Sequence, residues 1–238
     1  MQLTFNICSW GAWSPHYQQA ADWKHWSESS THLKEGQPLS PKLSQVPAMQ
    51  RRRYSSLTKM QLEAAFQCNP PTPCRSIFAS RHGELHRTIG LLDNLVEQEP
   101  LSPTAFSQSV HNTASGIYSI LTGDQSPSTS IAAGEETLFQ AFIEAYAQLQ
   151  QDSSPLMLVF GDELVPERYS QFTDEYELPI SMAFSLSQTQ AQGMTLTITR
   201  EENSTLPLLS YGALLHGLAN RQAVSGILSQ HVWTLSFG

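Results

Sequence analysis

Apolar positions along this chain fall into short blocks whose spacing switches between the period of a strand and that of a helix. Gln2–Trp13 (QLTFNICSWGAW) packs β-branched and aromatic residues into a short run, which predicts a buried first strand turning at Ser14-Pro15. Asp22–Trp26 (DWKHW) reads as the start of a helix, and the polar stretch Ser27–Pro47, rich in Ser, Pro and Gly, as a surface loop. Helical spacing returns at Ser55–Phe66, where Leu57, Met60 and Ala64 share a face. Ser76–Ser80 is a strand candidate feeding a helix over Gly83–Gln98, with Leu85, Ile89, Leu92 and Val96 as its expected inward stripe.

The same alternation continues. A helix over Asn112–Leu121 leads to a strand at Ser128–Ala133 and then to a helix over Glu135–Gln150, with Leu138, Phe142 and Leu149 along one side. Leu156–Gly161, Ile180–Ser187, Met194–Arg200 and Val232–Phe237 read as further strands, and Leu208–Ala219 as a last amphipathic helix. Strands alternating with helices predict an α/β layered fold in which a mostly parallel sheet is covered by helices on both faces. No fixed-period repeat is visible, and 238 residues with 40% hydrophobic content predict one domain over 1–238.

Charge narrows the partners. The net charge is −8, so a nucleic-acid backbone is not an expected partner. Residues 1–100 carry 10 Lys/Arg against 8 Asp/Glu, whereas 101–238 carry 3 against 13, so positive charge collects in the first half. The cysteines Cys8, Cys68 and Cys74 are odd in number and form no C-x-x-C pair, which argues against a disulfide framework or a zinc site and points to a reducing cytoplasm. No apolar run approaches a membrane span and no secretory signal is apparent. The eight histidines lack an H-E-x-x-H pair, so neither a metal nor a cofactor is expected.

The window Ser128–Ala145 (STSIAAGEETLFQAFIEA) carries the most chemistry. A strand runs through two alanines and a glycine directly into a helix, placing Glu135 and Glu136 where backbone N–H groups favour an anion and where a cysteine would have a lowered pKa. This window resembles the active-site elbow of the β-ketoacyl synthases, with Glu135 at the position of the condensing cysteine. CSWGAWSP at Cys8–Pro15, DWKHW at Asp22–Trp26, QRRRYSSLTKMQLEAA at Gln50–Ala65, SRHGEL at Ser80–Leu85 and FSQSVHNTASG at Phe106–Gly116 extend the resemblance, in order, over about residues 1–165.

The resemblance implies a truncated thiolase-like fold, mostly the N-terminal ketosynthase half. It also implies a chain-length-factor-like subunit of the aryl polyene or polyketide type. A carboxylate at the elbow cannot take up an acyl chain by transthioesterification, so the implied subunit is non-catalytic and pairs with a catalytic ketosynthase, meeting acyl carrier protein through that partner. It further implies edge-to-edge pairing through Ser128, Thr129, Ser130, Ile131, Ala132 and Ala133, with Phe106, Val110, Tyr118 and Phe139 as candidates to line a shared tunnel. His216 and His231 occupy the right region for the family's C-terminal histidines, but their neighbours do not match.

Other readings compete at each residue. Glu135 is also an ordinary first-turn carboxylate, and His111 beside the capping residue Asn112 is expected to be structural. Arg51, Arg52 and Arg53 read as a solvated run or as a docking site for acidic carrier protein, which Arg75, Arg81 and Arg87 would extend. Trp10, Trp13, Trp23 and Trp26 read as packing anchors rather than a ligand cage. The alternative function is a malonyl-carrier-protein decarboxylase or acyl thioesterase working at the elbow through Glu135 or His111.

Overall fold

The computed structural model describes residues 1–28, 40–173, 178–188, 193–201 and 204–238. Most of the expected loop over Ser27–Pro47 therefore lies outside the described residues.

In chain order the elements are β1 (Gln2–Trp13), α1 (Ala48–Arg51), α2 (Ser56–Cys68), β2 (Arg75–Ala79), α3 (Leu85–Val96), α4 (Pro103–Ser107), α5 (Thr113–Thr122), β3 (Ser128–Ile131) and α6 (Thr137–Gln151). β4 (Leu156–Asp162), β5 (Ile180–Ser187), β6 (Met194–Thr199), α7 (Tyr211–Asn220), β7 (Val224–Leu228) and β8 (His231–Phe237) follow. The eight strands form one sheet in the order β3-β2-β4-β5-β1-β6-β8-β7. The last three lengthen that sheet instead of building another among the described residues.

The expectation of a mostly parallel sheet is corrected. Among the described residues β2–β3 and β2–β4 are the parallel ladders, and the other five are antiparallel. The misleading signal was the alternation of strands with helices, which holds from β2 to β4 but not for β1 or the later strands, while β4 and β5 are buried without a break. That pattern reports helices on both faces of the central strands, not strand direction. On one face, α6 and α7 cover a core built around Phe5, Phe142, Phe184 and Trp233. On the other, α2 and α5 pack Leu62, Ala65 and Tyr118 against Phe78, Met157 and Val159.

Local chemistry explains the boundaries. Ser55 caps α2 by accepting the Thr58 N–H at 3.0 Å, and Asn69 closes that helix at φ 46°. Asp22 accepts the N–H groups of Gln18 and Gln19, which holds Ala20–His25 as a 3₁₀ turn where a helix start was expected. Leu208 and Leu209 are not helical as predicted. Leu209 donates to the Ile227 carbonyl at 2.8 Å, and Ile227 donates to that of Pro207 at 2.8 Å, so this segment borders β7, and α7 starts after the Ser210 cap. β7 carried no clear strand signal in the sequence. Gly226 permits this contact, because a Cβ there would meet the Pro207 carbonyl at 2.8 Å.

The stripe expected to face inward from α3 is also corrected. Ile89 is buried, but Leu92 and Val96 are exposed, and Leu91 takes the inward position instead. No helix of the described residues is long and apolar enough to cross a membrane.

Candidate functional site at the strand ends

The parallel strands β2, β3 and β4 deliver their C-terminal ends to one side of the sheet, where the antiparallel β5 begins. A cavity of about 630 Å³ opens there, lined by Arg81, His82, Glu135, Asp162, Glu163 and Tyr211 among others. Open α/β sheets characteristically bind ligands outside the carboxyl ends of their strands.

Asp162, the last residue of β4, builds one wall. Its Oδ1 accepts from the Ser80 hydroxyl at 2.8 Å and from the Arg81 N–H at 2.8 Å, tying the loop after β2 to the neighbouring strand. The Ser80 Oγ accepts the Gly83 N–H at 2.9 Å, and the His111 Nε2–H donates to the Ser80 carbonyl at 2.9 Å. The imidazole packs so closely on Gly83, φ +56°, that a Cβ there would meet it at 2.8 Å. His111 is thus a strut for the loop that carries Arg81 and His82, as its structural reading predicted, and it does not line the cavity.

The elbow forms the opposite wall. Between β3 and α6 the chain does not run directly into a helix as expected but makes a 3₁₀ turn over Gly134–Glu136. Gly134 has φ +58°, a conformation that glycine adopts freely. Thr137, fully buried, donates to the Gly134 carbonyl at 2.7 Å and accepts the Ala133 N–H at 2.9 Å, so the turn is locked from below. Glu135 is exposed and lines the cavity, and its carbonyl accepts the Ser229 hydroxyl at 3.0 Å. Ser229 and Gln230, both at positive φ, form the tip of the β7–β8 hairpin. The sheet therefore curls around α6 until its far hairpin touches the elbow, and His231 stacks on Phe139 with ring centroids 3.5 Å apart.

Electrostatics at the site are dominated by carboxylates. Burial raises Glu163 to about 7, with His86 opposing the shift and Glu84 and Asp162 adding to it. Glu84 belongs to a structural network, accepting from the hydroxyls of Ser55 and Thr58 at 2.7 and 2.6 Å and pairing with Arg87 at 3.5 Å. His82 and His86 are four apart in the sequence, yet the His86 Nε2–H donates to the Leu164 carbonyl, and among the described residues no His, Cys, Asp and Glu cluster is placed to hold a metal.

No thiol reaches this cavity. Cys8 lies in β1, Cys68 in α2 and Cys74 just before β2, and burial pushes Cys68 up to about 12 and Cys74 up to about 11. Cys8 too is raised by desolvation.

The remaining expected residues scatter. Tyr118 and Phe139 are buried on opposite faces of the sheet, while Phe106 and Val110 are exposed, so the four line no common space within this chain. Of Ser128–Ala133, the first four residues form β3 at the sheet's edge, and Ala132 and Ala133 are exposed beyond it. The Pro127 and Ile131 carbonyls accept from Ser76 and Ser80 of the β2 side. By alternation the backbone groups of Ser128 and Ser130 point away from the sheet.

Arg52 and Arg53 are exposed, and Arg51 donates to the Leu43 carbonyl. Arg87 extends this run by donating to the Arg53 carbonyl. Arg75 instead donates to the Gln148 and Asp152 carbonyls, and Arg81 belongs to the cavity. Trp13 and Trp23 are buried anchors as expected, but Trp23 and Trp26 also wall a second cavity that the sequence reading did not anticipate. His216 donates to the Trp23 carbonyl.

Of the residues lining this cavity, the sequence pattern points to Glu135, whereas Arg81 and His82 carry no signal of their place and Asp162 and Glu163 show only as two acids ending an apolar strand.

Comparison with known proteins adds three findings. A family model described as β-ketoacyl synthase, N-terminal domain, matches residues 23–231. A structure of the ketosynthase ApeO in complex with its chain length factor ApeC from Xenorhabdus doucetiae contains a chain similar over 98% of this one and 99% of its own length, at 27% identity and a TM-score of 0.78. The ishigamide ketosynthase/chain length factor matches over 99% of both chains at 11% identity and a TM-score of 0.69, and a β-ketoacyl synthase from Burkholderia phymatum over 93% of this chain and 71% of its own at 11% and 0.55. The last two show the thiolase-like fold alone. No curated protein matches.

Proposed function

The chain belongs to the β-ketoacyl synthase family, and from that premise we propose that it is a chain-length-factor-like subunit, without condensing activity of its own, that pairs with a catalytic ketosynthase in the cytoplasm. The observation that carries this reading is the elbow itself. The elbow cavity, where the sequence resemblance puts the family's condensing cysteine, presents Glu135, Asp162 and Glu163, and all three thiols of the chain lie elsewhere. Condensation begins with transthioesterification of the acyl chain onto a thiol, and a carboxylate has no sulfur with which to form that thioester.

The pairing edge is β3. It is a terminal strand with two outward-pointing backbone positions, and an open edge is a template for strand addition. Beside it α5, which packs on β2 and β3, exposes Ile120 to 80%. Similarity to a chain of a ketosynthase–chain length factor complex over nearly its whole length supports the same reading. The exposed Arg52 and Arg53, with Arg87 beside them, form the proposed contact for acidic carrier protein.

Co-expression with the ketosynthase encoded nearest to this chain tests the proposal. A one-to-one complex that is lost in Ser130→Pro, with the variant still folded by circular dichroism, is the expected result, since proline removes an outward N–H at an edge where the fold tolerates it. A chain that never captures the ketosynthase, or a complex indifferent to Ser130→Pro, sinks the reading. Reversing Arg52 and Arg53 to Glu should weaken carrier-protein docking and leave the complex intact.

A further inference from the structure

The segment that leaves β4, Glu163–Phe172, forms a strap that reaches α3 and divides two spaces. On one side Glu163 and Phe172 line the elbow cavity. On the other, Glu163, Leu164, Val165, Pro166 and Glu167 line a groove of about 640 Å³ that ends against Ser55, His86 and Arg87.

Two tethers hold the strap to α3. Near its root the His86 Nε2–H donates to the Leu164 carbonyl at 2.7 Å, and toward its far end the Arg168 guanidinium forks onto Asp93 at 3.0 and 3.2 Å. The strap's regular structure is one 3₁₀ turn, Glu167–Phe172, in which no residue is buried. A segment packed so sparsely opens at low cost, whereas β5 beside its root is buried throughout.

Closure sets the half-buried Glu163 carboxyl among other charges. Asp162, Glu84 and His86 act on it directly. Arg81, His82, Glu135 and Tyr211 line the elbow cavity with it, and Arg87 and Glu167 line the groove. Arg87 is engaged by Glu84 at 3.5 Å and by the Arg53 carbonyl. Behind the strap a pocket of about 10 Å³ beside His82, His86 and Asp162 has room for one water at most, so that side offers the carboxyl little hydration.

We propose that Glu163–Phe172 is a pH-sensitive clasp, closed on α3 while Glu163 carries its proton and released when that proton passes to solvent, which joins the groove to the elbow cavity. Burial is the largest influence holding the proton to about 7, with Glu84 and Asp162 adding to it and His86 opposing. In the open strap the carboxyl is hydrated and returns to its ordinary carboxylate value. Opening is therefore rarest below that ordinary value, grows as pH climbs, and levels off above about 7, where the closed form has lost its proton too. The clasp uses no residue of the β3 edge and does not depend on the proposed partner.

Hydrogen exchange by mass spectrometry on the full chain, at pH 5.5 and 7.5, tests this. Comparing wild type with Glu163→Gln at each pH cancels the intrinsic exchange rate. Over peptides within 164–173 the ratio of wild type to variant should rise about tenfold or more between the two pH values. Strap amides should also exchange about tenfold or more faster than those of β4 and β5 in the same sample, since release is local. Asp93→Asn removes the far tether alone and should speed strap exchange about two- to fivefold at both pH values, the ordinary worth of an exposed ion pair.

A ratio that stays constant with pH overturns the proton control, because the switch would then belong to another group such as His86 or His82. Strap exchange no faster than that of β4 and β5 overturns the clasp, because Glu163 would then meet water only when the whole chain unfolds. Strap exchange unchanged in Asp93→Asn overturns the closure on α3.

Discussion

Glu163 departs furthest from ordinary carboxylate behaviour, and the departure has a defined sign. Its carboxyl is held up at about 7 by burial, with Glu84 and Asp162 adding to the shift and His86 reducing it. The folded chain thus binds a proton that the unfolded chain has already released above its usual carboxylate value. The contribution of Glu163 to stability is present at low pH and lost as pH rises through about 7. Glu163→Gln should raise the Tm at pH 8 and leave it nearly unchanged at pH 5, with about 2–4 °C for each kcal/mol in a chain of this size. A variant that gains nothing at pH 8 would contradict the assignment. Gly11 is a second single-residue test. A Cβ on it would meet the Ala64 carbonyl at 2.4 Å and the Cys68 nitrogen at 2.5 Å, so α2 lies directly on β1. Backbone cannot swing aside as a side chain can, and Gly11→Ala should cost about 2 kcal/mol or more in denaturant unfolding. Glu135 was legible because a strand, small residues and a helix were contiguous in the sequence. Asp162 and Glu163 were not, because nothing local shows that the end of β4 lies beside the loop after β2, joined through Ser80 and Arg81.

Strand β3 shows how an element can be read correctly and still owe its meaning to topology. Its approximate position was visible in the sequence, whereas its place at the edge, with Ser128 and Ser130 turned outward, comes from the strand order. That is why Ser130→Pro is expected to separate pairing from folding, as measured by co-purification beside circular dichroism. Helix α3 is the opposite case. Its helical period was read correctly, but periodicity cannot say which side of a helix meets the core, and the expected stripe leaves Leu92 and Val96 in solvent. Strand β7 was missed because Gly226 weakens its apolar signal, and that glycine is there to admit the segment Pro207–Leu209. The paired arginines give the remaining test at this level. Arg87 donates to the Arg53 carbonyl and steadies the end of the run, so reversal of Arg52 and Arg53 should alter carrier-protein affinity, and its salt dependence, without changing the melting temperature.

Taken together, the strands obey two rules in succession. From β2 to β4 the chain alternates strand and helix and pairs in parallel, which is the part whose rhythm was readable from spacing. β5 then enters between β4 and β1, β6 adds beyond β1, and β8 inserts between β6 and β7. No local pattern announces such an insertion, and the mixed direction of the sheet was hidden for that reason. The same late strands bring the β7–β8 hairpin onto the elbow, through Ser229 and the Glu135 carbonyl. β8 lies between β6 and β7 and sends the fully buried Trp233 against Phe142. During synthesis, then, the nascent chain holds an unfinished sheet until β8 has emerged from the ribosome, and the Ser229 hairpin closes on the elbow only after that moment. The β3 edge proposed for pairing is made much earlier, so that edge and the completed cavity arise at different points along the synthesis of the chain.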